Sequence, residues 1–212
     1  MKQLKLKKKN FSLKKNRLLE ALKILNNEIL TIEDIIDSIV NHVLIKGKIL
    51  LCGNGGSAAD AQHLAAEFLV RLRPHVDRKP IAAISLAMDT STITACGNDY
   101  SFDKLFSRNL EALSAKNDIL IVISTSGNSK NILNVLKTAK KLKIFSIGLL
   151  GNNGGHAKKL CNKSIVVKSK NTATIQESQI FLGHYIFEEV EKKLLKNKFI
   201  WNKQLWNQKK LL

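Results

Sequence analysis

The sequence predicts an α/β protein, a three-layer α-β-α sandwich in which a parallel sheet lies between two layers of helices. Short unbroken apolar runs alternate with stretches whose apolar residues recur every three or four positions. This alternation is typical of parallel strands that are buried on both faces and separated by helices. The expected strand ends are polar and rich in glycine, and such sheets bind ligands at these ends. The runs expected to be strands are 48–52, 81–86, 119–123, 144–149 and 164–167.

The helices are predicted from the apolar periodicity between these runs. Residues 18–46 are expected to form two helices, the second beginning near Thr31. Further helices are expected at 57–73, 101–114, 129–142, 155–161 and 174–196. No repeat or linker interrupts the pattern, so the sequence predicts a single domain at 18–196, with Lys-rich extensions at 1–17 and 197–212.

Charge and composition restrict the classes of function. The 212-residue chain has a formal net charge of +18, but most of it lies in the two extensions. Solvated Lys-rich ends are the simpler interpretation of this charge, so no specific nucleic-acid partner is expected. No apolar run approaches the length of a membrane span, so no membrane partner is expected.

The three cysteines have no disulfide or zinc-knuckle spacing, which favours free thiols in a reducing cytoplasm. They are Cys52, Cys96 and Cys161.

A glycine-rich turn follows the first predicted strand. Residues 53–58, GNGGSA, match the pattern G-x-G-x-x-G/A. A dinucleotide site would need an acidic residue about twenty positions further on, and Leu72 and Arg73 stand there. A tight strand-to-helix turn accounts for one glycine, whereas the consecutive Gly55 and Gly56 favour close approach of a small ligand to the backbone.

A second polar segment, STSGNS at 124–129, ends the third predicted strand and opens a helix. Four hydroxyl groups at a helix N-terminus can surround a phosphate, aided by the helix dipole. The alternative, an N-cap, would use only one of them. There is no G-K-[ST] sequence, which disfavours a nucleoside triphosphate and favours a phosphomonoester.

A histidine and a glutamate stand four residues apart on the helix that follows the glycine-rich turn. His63 and Glu67 share one face of it, with Asp60 one turn earlier. Such a pair is usually a surface ion pair, but the other positions of this helix are small or apolar, which favours a shielded pair near a cleft. Gln176 and His184 lie about 12 Å apart on the last helix. Alone, His184 would be a core histidine; together, the four side chains suit Zn²⁺, with Mn²⁺ or Fe²⁺ as alternatives.

Taken together, these motifs resemble the SIS (sugar isomerase) domain family, and within it the phosphoheptose isomerases. The matching segments extend over about residues 18–195. They are GNGGSAADAQHLAAE at 53–67, GND at 97–99, ISTSGNS at 123–129, and IQE at 175–177 with a histidine eight residues after the glutamine. The resemblance implies a five-stranded, flavodoxin-like parallel sheet, a homotetramer, and active sites formed at subunit contacts.

The resemblance also implies site residues. The acid–base pair is Glu67 and His184, and one zinc ion per subunit is bound by His63, Glu67, Gln176 and His184. The substrate contacts are Asn54, Gly55, Gly56, Glu67, Asn98, Asp99 and Gln176 for the sugar, and Ser124, Thr125, Ser126 and Ser129 for the phosphate. Two positions depart from the family pattern, Thr174 in place of the usual Arg and Gln179 in place of a frequent His. Both are expected to affect local packing or a subunit contact.

The implied activity is that of an aldose–ketose isomerase acting on a small-molecule sugar phosphate. It converts D-sedoheptulose 7-phosphate to D-glycero-D-manno-heptose 7-phosphate through an enediol, as the first step toward activated heptose for lipopolysaccharide core or capsule.

Three alternatives remain open. A non-catalytic SIS protein that binds a replication initiator would lack the acidic and histidine residues, and a regulatory sensor would carry a further domain. Isomerisation of a different sugar phosphate is the third, because pocket shape distinguishes hydroxyl stereochemistry.

Overall fold

Five parallel strands form the centre of the fold. The computed structural model describes residues 1–87 and 89–200, and its strands pair in the order β2-β1-β3-β4-β5. This arrangement confirms the predicted fold class. The order reverses between β1 and β3, and the carboxyl ends of strands at such a point form a crevice that binds ligands. The strands are β1 (Ile49–Gly53), β2 (Ala83–Ser85), β3 (Ile119–Ser124), β4 (Phe145–Gly151) and β5 (Lys163–Val167).

The apolar runs form strands because both faces of the sheet are covered. Every residue of β1 and of β3 is buried. Along β1, Ile49 and Leu51 contribute to one hydrophobic core, and Leu50 and Cys52 contribute to a second core on the opposite face. This alternation follows from the two-residue period of a strand.

Eight α-helices of the described residues cover these two faces. Helices α1, α2, α3 and α8 contribute to the first core, and α4 to α7 contribute to the second. Short 3-10 turns occur at Asn26–Glu28 and Phe102–Lys104. The helices are α1 (Lys2–Leu25), α2 (Ile29–Leu44), α3 (Gly56–Leu69), α4 (Thr90–Asp99), α5 (Leu105–Leu113), α6 (Lys130–Leu142), α7 (Ala157–Leu160) and α8 (Thr172–Lys196).

Helix α4 was not predicted, and the helix predicted at 101–114 begins only at Leu105. The sequence of α4, TSTITACGND, is rich in β-branched residues and contains glycine, all of which have low helix propensity. Its first turn is stabilised by the Asp89 side chain, which accepts a hydrogen bond from the Thr92 amide at 2.8 Å. This cap compensates for part of the weak intrinsic propensity.

The structure describes all of the N-terminal Lys-rich extension and the start of the C-terminal one. Residues 2–17 are part of α1, and residues 3–17 of it are exposed. Side chains of α1 enter the core only from Ala21 onward. At the other end, Ile200 is buried, and its carbonyl accepts a hydrogen bond from the Lys79 amide at 2.8 Å. Ile200 therefore packs against the body, residues 197–199 are exposed, and the rest of the predicted tail lies outside the described residues. Across 1–87 and 89–200, no helix has both the length and the apolar character needed to cross a membrane.

Candidate active site

The glycine-rich turn after β1 is shaped by two separate requirements. Gly55 has φ +56° and ψ −121°, a conformation that favours glycine. At Gly56, a Cβ atom would lie 2.4 Å from Nε2 of Gln176, so a larger residue would displace that side chain. Backbone conformation thus favours glycine at 55, and the close approach of the Gln176 side chain favours it at 56.

An amide pair connects this turn to the start of α6. Asn54 Nδ2 donates to Asn131 Oδ1 at 2.9 Å, and Asn131 Nδ2 donates back to Asn54 Oδ1 at 2.8 Å. Asn131 is buried and was not identified from the sequence. Asn54, expected to line the sugar, therefore also holds the turns after β1 and β3 together.

The hydroxyl groups of the serine-rich loop after β3 do not cap α6. Ser129 is the N-cap residue of α6, but its side chain makes no capping hydrogen bond. The Ser124 hydroxyl accepts from the Gly127 amide at 3.0 Å, and the Ser126 hydroxyl accepts from the Asn128 amide at 3.2 Å. Ser126 is exposed, and Thr125 and Ser129 are half-buried. The loop thus presents hydroxyl groups beside a helix N-terminus, as a phosphate site requires.

A third loop, which follows β4, supports the serine-rich loop. Gly127 has φ +64°, and a Cβ atom there would lie 2.0 Å from the Gly154 carbonyl oxygen. The Ala157 amide donates to the Gly127 carbonyl at 2.9 Å, and the His156 amide donates to Asn128 Oδ1 at 2.9 Å. These contacts fix the backbone of the serine-rich loop before any ligand binds.

Three of the four predicted metal ligands converge between α3 and α8. Nε2 of His63 lies 2.8 Å from Nε2 of His184 and 3.3 Å from Oε1 of Glu67. One ligand atom from each residue lies within 4.8 Å of the others. The His63 side chain is 48% exposed and that of Glu67 only 18%, so the cluster opens to solvent on one side. Two imidazoles and a carboxylate form a donor set that suits zinc.

Asp60 borders this cluster. Its Oδ2 atom is buried and has no hydrogen-bond partner among the described residues. Burial raises the pKa of Asp60, and the imidazoles of His63 and His184 partly oppose this shift. The cluster therefore combines imidazoles with nearby carboxyl groups in a partly shielded place, which fits a divalent cation.

The fourth predicted ligand, Gln176, contacts the turn after β1. Its side-chain amide lies over Gly56, at the opposite end of α3 from Glu67. Two turns further along α8, Leu64 packs on Gly183, where a Cβ atom would lie 2.6 Å from Leu64 Cδ1. Helices α3 and α8 therefore run side by side in the same direction.

The two departures from the family pattern both have local packing roles. Thr174 is buried, and its amide donates to the Asn171 side chain at 3.0 Å, at the start of α8. Gln179 is buried, and its Nε2 donates to the Leu149 carbonyl at 2.8 Å and to the Ser124 carbonyl at 3.3 Å. Gln179 thus connects α8 to the ends of β3 and β4, directly beneath the serine-rich loop.

Asn98 and Asp99 are separate from the other predicted substrate contacts. Both are exposed at the end of α4, and Asn98 Nδ2 donates to Asp99 Oδ1 at 2.8 Å. Among the hydrogen bonds of the described residues, none joins this pair to the loops after β1 and β3. The single chain therefore brings together the loops and the metal cluster, but not the GND segment.

Similarity to known proteins agrees with this arrangement. A family model described as SIS domain matches residues 13–151. The chain is 46% identical over 167 residues to phosphoheptose isomerase of Clostridium acetobutylicum, a match that covers 79% of this chain and 84% of that protein. It is 52% identical over 145 residues to phosphoheptose isomerase of Campylobacter concisus, covering 68% and 76% respectively.

Solved structures give the same result. Phosphoheptose isomerase from Neisseria gonorrhoeae superposes with a TM-score of 0.79 at 36% identity, covering 91% of this chain and all of that one. The Francisella tularensis enzyme superposes with a TM-score of 0.80 at 33% identity over the same share of this chain. From the family match, these identities and the shared fold, we conclude that the chain belongs to the SIS domain family and, within it, to the phosphoheptose isomerases, which are aldose–ketose isomerases.

Proposed function

We propose that this protein converts D-sedoheptulose 7-phosphate to D-glycero-D-manno-heptose 7-phosphate. The observation that carries the proposal is the convergence of His63, Glu67 and His184 on two helices that also border the loops after β1 and β3. An acid–base cluster and a phosphate-binding loop are the two parts that isomerisation of a sugar phosphate requires. The heptose is taken from the names of the relatives at 46% and 52% identity.

The spacing along the two helices supports a substrate of this length. His63 follows Gly56 by seven residues, or about 10 Å along the axis of α3. His184 follows Gln176 by about 12 Å along α8. On each helix, one residue is thus close to the loops and another lies about 10 to 12 Å farther along the axis. An extended seven-carbon chain together with its terminal phosphate has a similar length. We place the phosphate at Thr125, Ser126 and Ser129, and C1 and C2 at the cluster.

The reaction transfers hydrogen between C1 and C2 through an enediol. Glu67 removes the proton from C1 as general base and returns it to C2. His184 donates a proton to the oxygen on C2 and accepts one from the hydroxyl on C1, which becomes the aldehyde. Both side chains border His63, so both can reach one end of the same sugar.

The same cluster suits one zinc ion per subunit, with His63, Glu67 and His184 as ligands. Gln176, the fourth predicted ligand, lies over Gly56 and about 12 Å along α8 from His184, so its side chain would have to move to reach the same ion. Ligand atoms about 2.1 Å from a tetrahedral zinc lie roughly 3.4 Å apart. The His63–Glu67 separation of 3.3 Å is close to this, whereas the His63–His184 separation of 2.8 Å is shorter, so the two imidazoles would move apart to hold the ion. When bound, the ion would stabilise negative charge on the sugar oxygens. A coordinated carboxylate is a weaker base than a free one, so the two roles of Glu67 must be separated by experiment.

We further propose a cytoplasmic homotetramer whose product supplies activated heptose for lipopolysaccharide core or capsule. Large apolar side chains are at least 48% exposed near the end of α3, after α4 and on α8, and a second copy of the chain could cover them. They are Leu69, Val70, Tyr100, Phe102 and Phe181. Light scattering of the purified protein would measure the number of subunits, and a monomer would contradict this assembly.

Incubation of the purified protein with D-sedoheptulose 7-phosphate tests the proposed reaction directly. We expect the aldose to form, with solvent deuterium incorporated at C2 because the proton passes through a side chain. Fructose 6-phosphate and ribulose 5-phosphate serve as comparison substrates. Faster conversion of either of them would identify an isomerase of another sugar phosphate and contradict the heptose assignment.

A further inference from the structure

Arg78 binds the backbone of α3 next to the cluster of His63, Glu67 and His184, and it was not identified from the sequence. Its side chain is completely buried in the segment between α3 and β2. Nη2 donates to the Glu67 carbonyl at 2.8 Å, and Nη1 donates to the Phe68 carbonyl at 3.0 Å. One guanidinium group thus binds the backbone of Glu67 and of the residue that follows it.

These bonds satisfy the end of α3. The last carbonyl groups of a helix have no partner within it, and they form the negative end of its dipole. The planar guanidinium supplies several donors and a positive charge in a fixed geometry. Since Glu67 lies in the last turn of α3, its backbone is held there by Arg78.

The same guanidinium is bound to α8. Its Nε pairs with the carboxylate of Glu191, which is 1% exposed. Nε of Arg73 pairs with the other oxygen of Glu191 at 2.7 Å. Glu191 follows His184 by seven residues, or about two turns, and therefore lies on the same side of α8. Arg78 consequently connects the helix that carries Glu67 to the helix that carries His184.

The packing between these helices limits movement at the cluster. The rings of Phe68 and Phe187 are stacked with their centroids 3.9 Å apart. Phe68 directly follows Glu67, and Phe187 lies between His184 and Glu191 in the sequence of α8. Sliding of α8 along α3 would disrupt this stacking together with the ion pair. A shift of about 1 Å is large compared with the tolerance of a metal or catalytic site.

We propose that Arg78, through Glu191, is a positioning residue that holds Glu67 and His184 at the separation needed for zinc and for proton transfer. This inference rests on the proposed function for its catalytic consequence. The part of the inference that concerns the distance between α3 and α8 does not depend on the proposed function. Arg78 touches neither the cluster side chains nor the serine-rich loop in the hydrogen bonds described.

The test uses Arg78→Lys and Glu191→Gln in the full-length chain. Zinc affinity is measured by competition with a chelator, and the ligand geometry by the visible spectrum of the Co²⁺-substituted protein. We expect both variants to bind zinc about 10- to 100-fold more weakly, as is usual when a residue that orients ligands is lost. The Co²⁺ bands should shift, kcat should fall by a similar factor, and KM should change less than about twofold, because the phosphate loop is not touched.

Asp118→Asn provides the matched control. Asp118 is buried and pairs with Lys48 at the amino ends of β1 and β3, whereas the proposed site lies at the carboxyl ends of these strands. This variant should lower Tm without changing zinc affinity, the Co²⁺ spectrum or kcat. If Arg78→Lys does not fold, Glu191→Gln decides the question, because the guanidinium can then still bind the carbonyls of α3.

An unchanged zinc affinity and Co²⁺ spectrum in folded Glu191→Gln or Arg78→Lys would overturn the proposal, whatever the loss of Tm. If the wild-type protein does not turn over the heptose phosphate, the proposed function fails. The zinc and Co²⁺ measurements still test the positioning role in that case.

Discussion

The Nε2 atoms of His63 and His184 lie 2.8 Å apart although 121 positions separate the residues in the chain. Two imidazole nitrogens that face each other this closely need a proton or a cation between them, since their lone pairs repel. Glu67, 3.3 Å from the same His63 nitrogen, adds a negative charge. This relationship is the strongest structural indication of a metal or acid–base centre in the chain.

Removal of one imidazole should reduce metal content and activity together. In His63→Ala, the cluster loses the ligand atom that lies between the other two, so bound zinc and turnover should fall in parallel. Zinc can be counted by atomic emission and the fold checked by circular dichroism. Full activity in a zinc-free His63→Ala protein would exclude the ion from catalysis.

Glu67→Gln should separate the base from the ligand. The amide keeps the size of the side chain and one weak oxygen ligand, but it cannot accept the proton from C1. We expect this variant to retain part of the zinc and lose nearly all turnover, at least about 10²-fold. If it remains active while His63→Ala is inactive, the metal rather than Glu67 promotes proton transfer.

Substitutions in the serine-rich loop should affect substrate binding and protein stability at different serines. Ser126→Ala combined with Ser129→Ala should raise KM for the sugar phosphate with little change in Tm. The Ser129 hydroxyl does not cap α6, and the Ser126 hydroxyl accepts only an exposed, 3.2 Å hydrogen bond from the Asn128 amide. Ser124→Ala should instead lower the free energy of unfolding by about 1 kcal/mol, because its buried hydroxyl accepts from the Gly127 amide. Steady-state kinetics and urea denaturation measure the two effects. An unchanged KM in the double variant would place the phosphate elsewhere.

Gly56→Ala should displace Gln176. The added Cβ would meet the Gln176 amide at 2.4 Å, so the side chain has to leave its place on the turn after β1. We expect KM for the sugar phosphate to rise, because Gln176 is a predicted substrate contact, and zinc affinity to change less, because Gln176 lies about 12 Å along α8 from His184. Gly97→Ala is the control, because nothing lies within 4 Å of a Cβ atom at that helical position. Equal behaviour of the two variants would show that the contact at Gly56 is not needed.

The Lys-rich extensions should be dispensable for turnover if the shortened chain keeps the buried residues that the structure describes near both ends. A chain of residues 18–200 retains Ala21 and Leu25 in the core and the buried Ile200. We expect it to keep the kcat of the full chain, whereas a chain that ends at 196 should unfold at a lower temperature. A large loss of kcat at unchanged Tm in 18–200 would mean that an extension helps to build the site or the oligomer.

Much of the fold could be predicted because local patterns report burial. The unbroken apolar runs of β1 and β3 are buried on both faces, which requires the parallel, doubly covered sheet that the structure shows. Helix α4 was missed because its β-branched residues and glycine give no helical signal, and the Asp89 cap and contacts with α5 hold it in place. Helix α3 was predicted to end near residue 73 but ends at Leu69. Arg78 binds the carbonyls of Glu67 and Phe68 in its last turn.

For the site, the sequence by itself determined which residue types are available and which of them share a helix. His63 and Glu67 must lie on one face at four-residue spacing, and the hydroxyl groups of 124–129 must meet at a helix start. Only the tertiary structure decided that His184 joins His63, that Gln176 lies over Gly56, and that Arg78 and Glu191 link the two helices. The reason is physical. Local spacing follows from helix geometry, whereas contacts across 113 or 121 positions depend on how α3 and α8 pack on the same sheet.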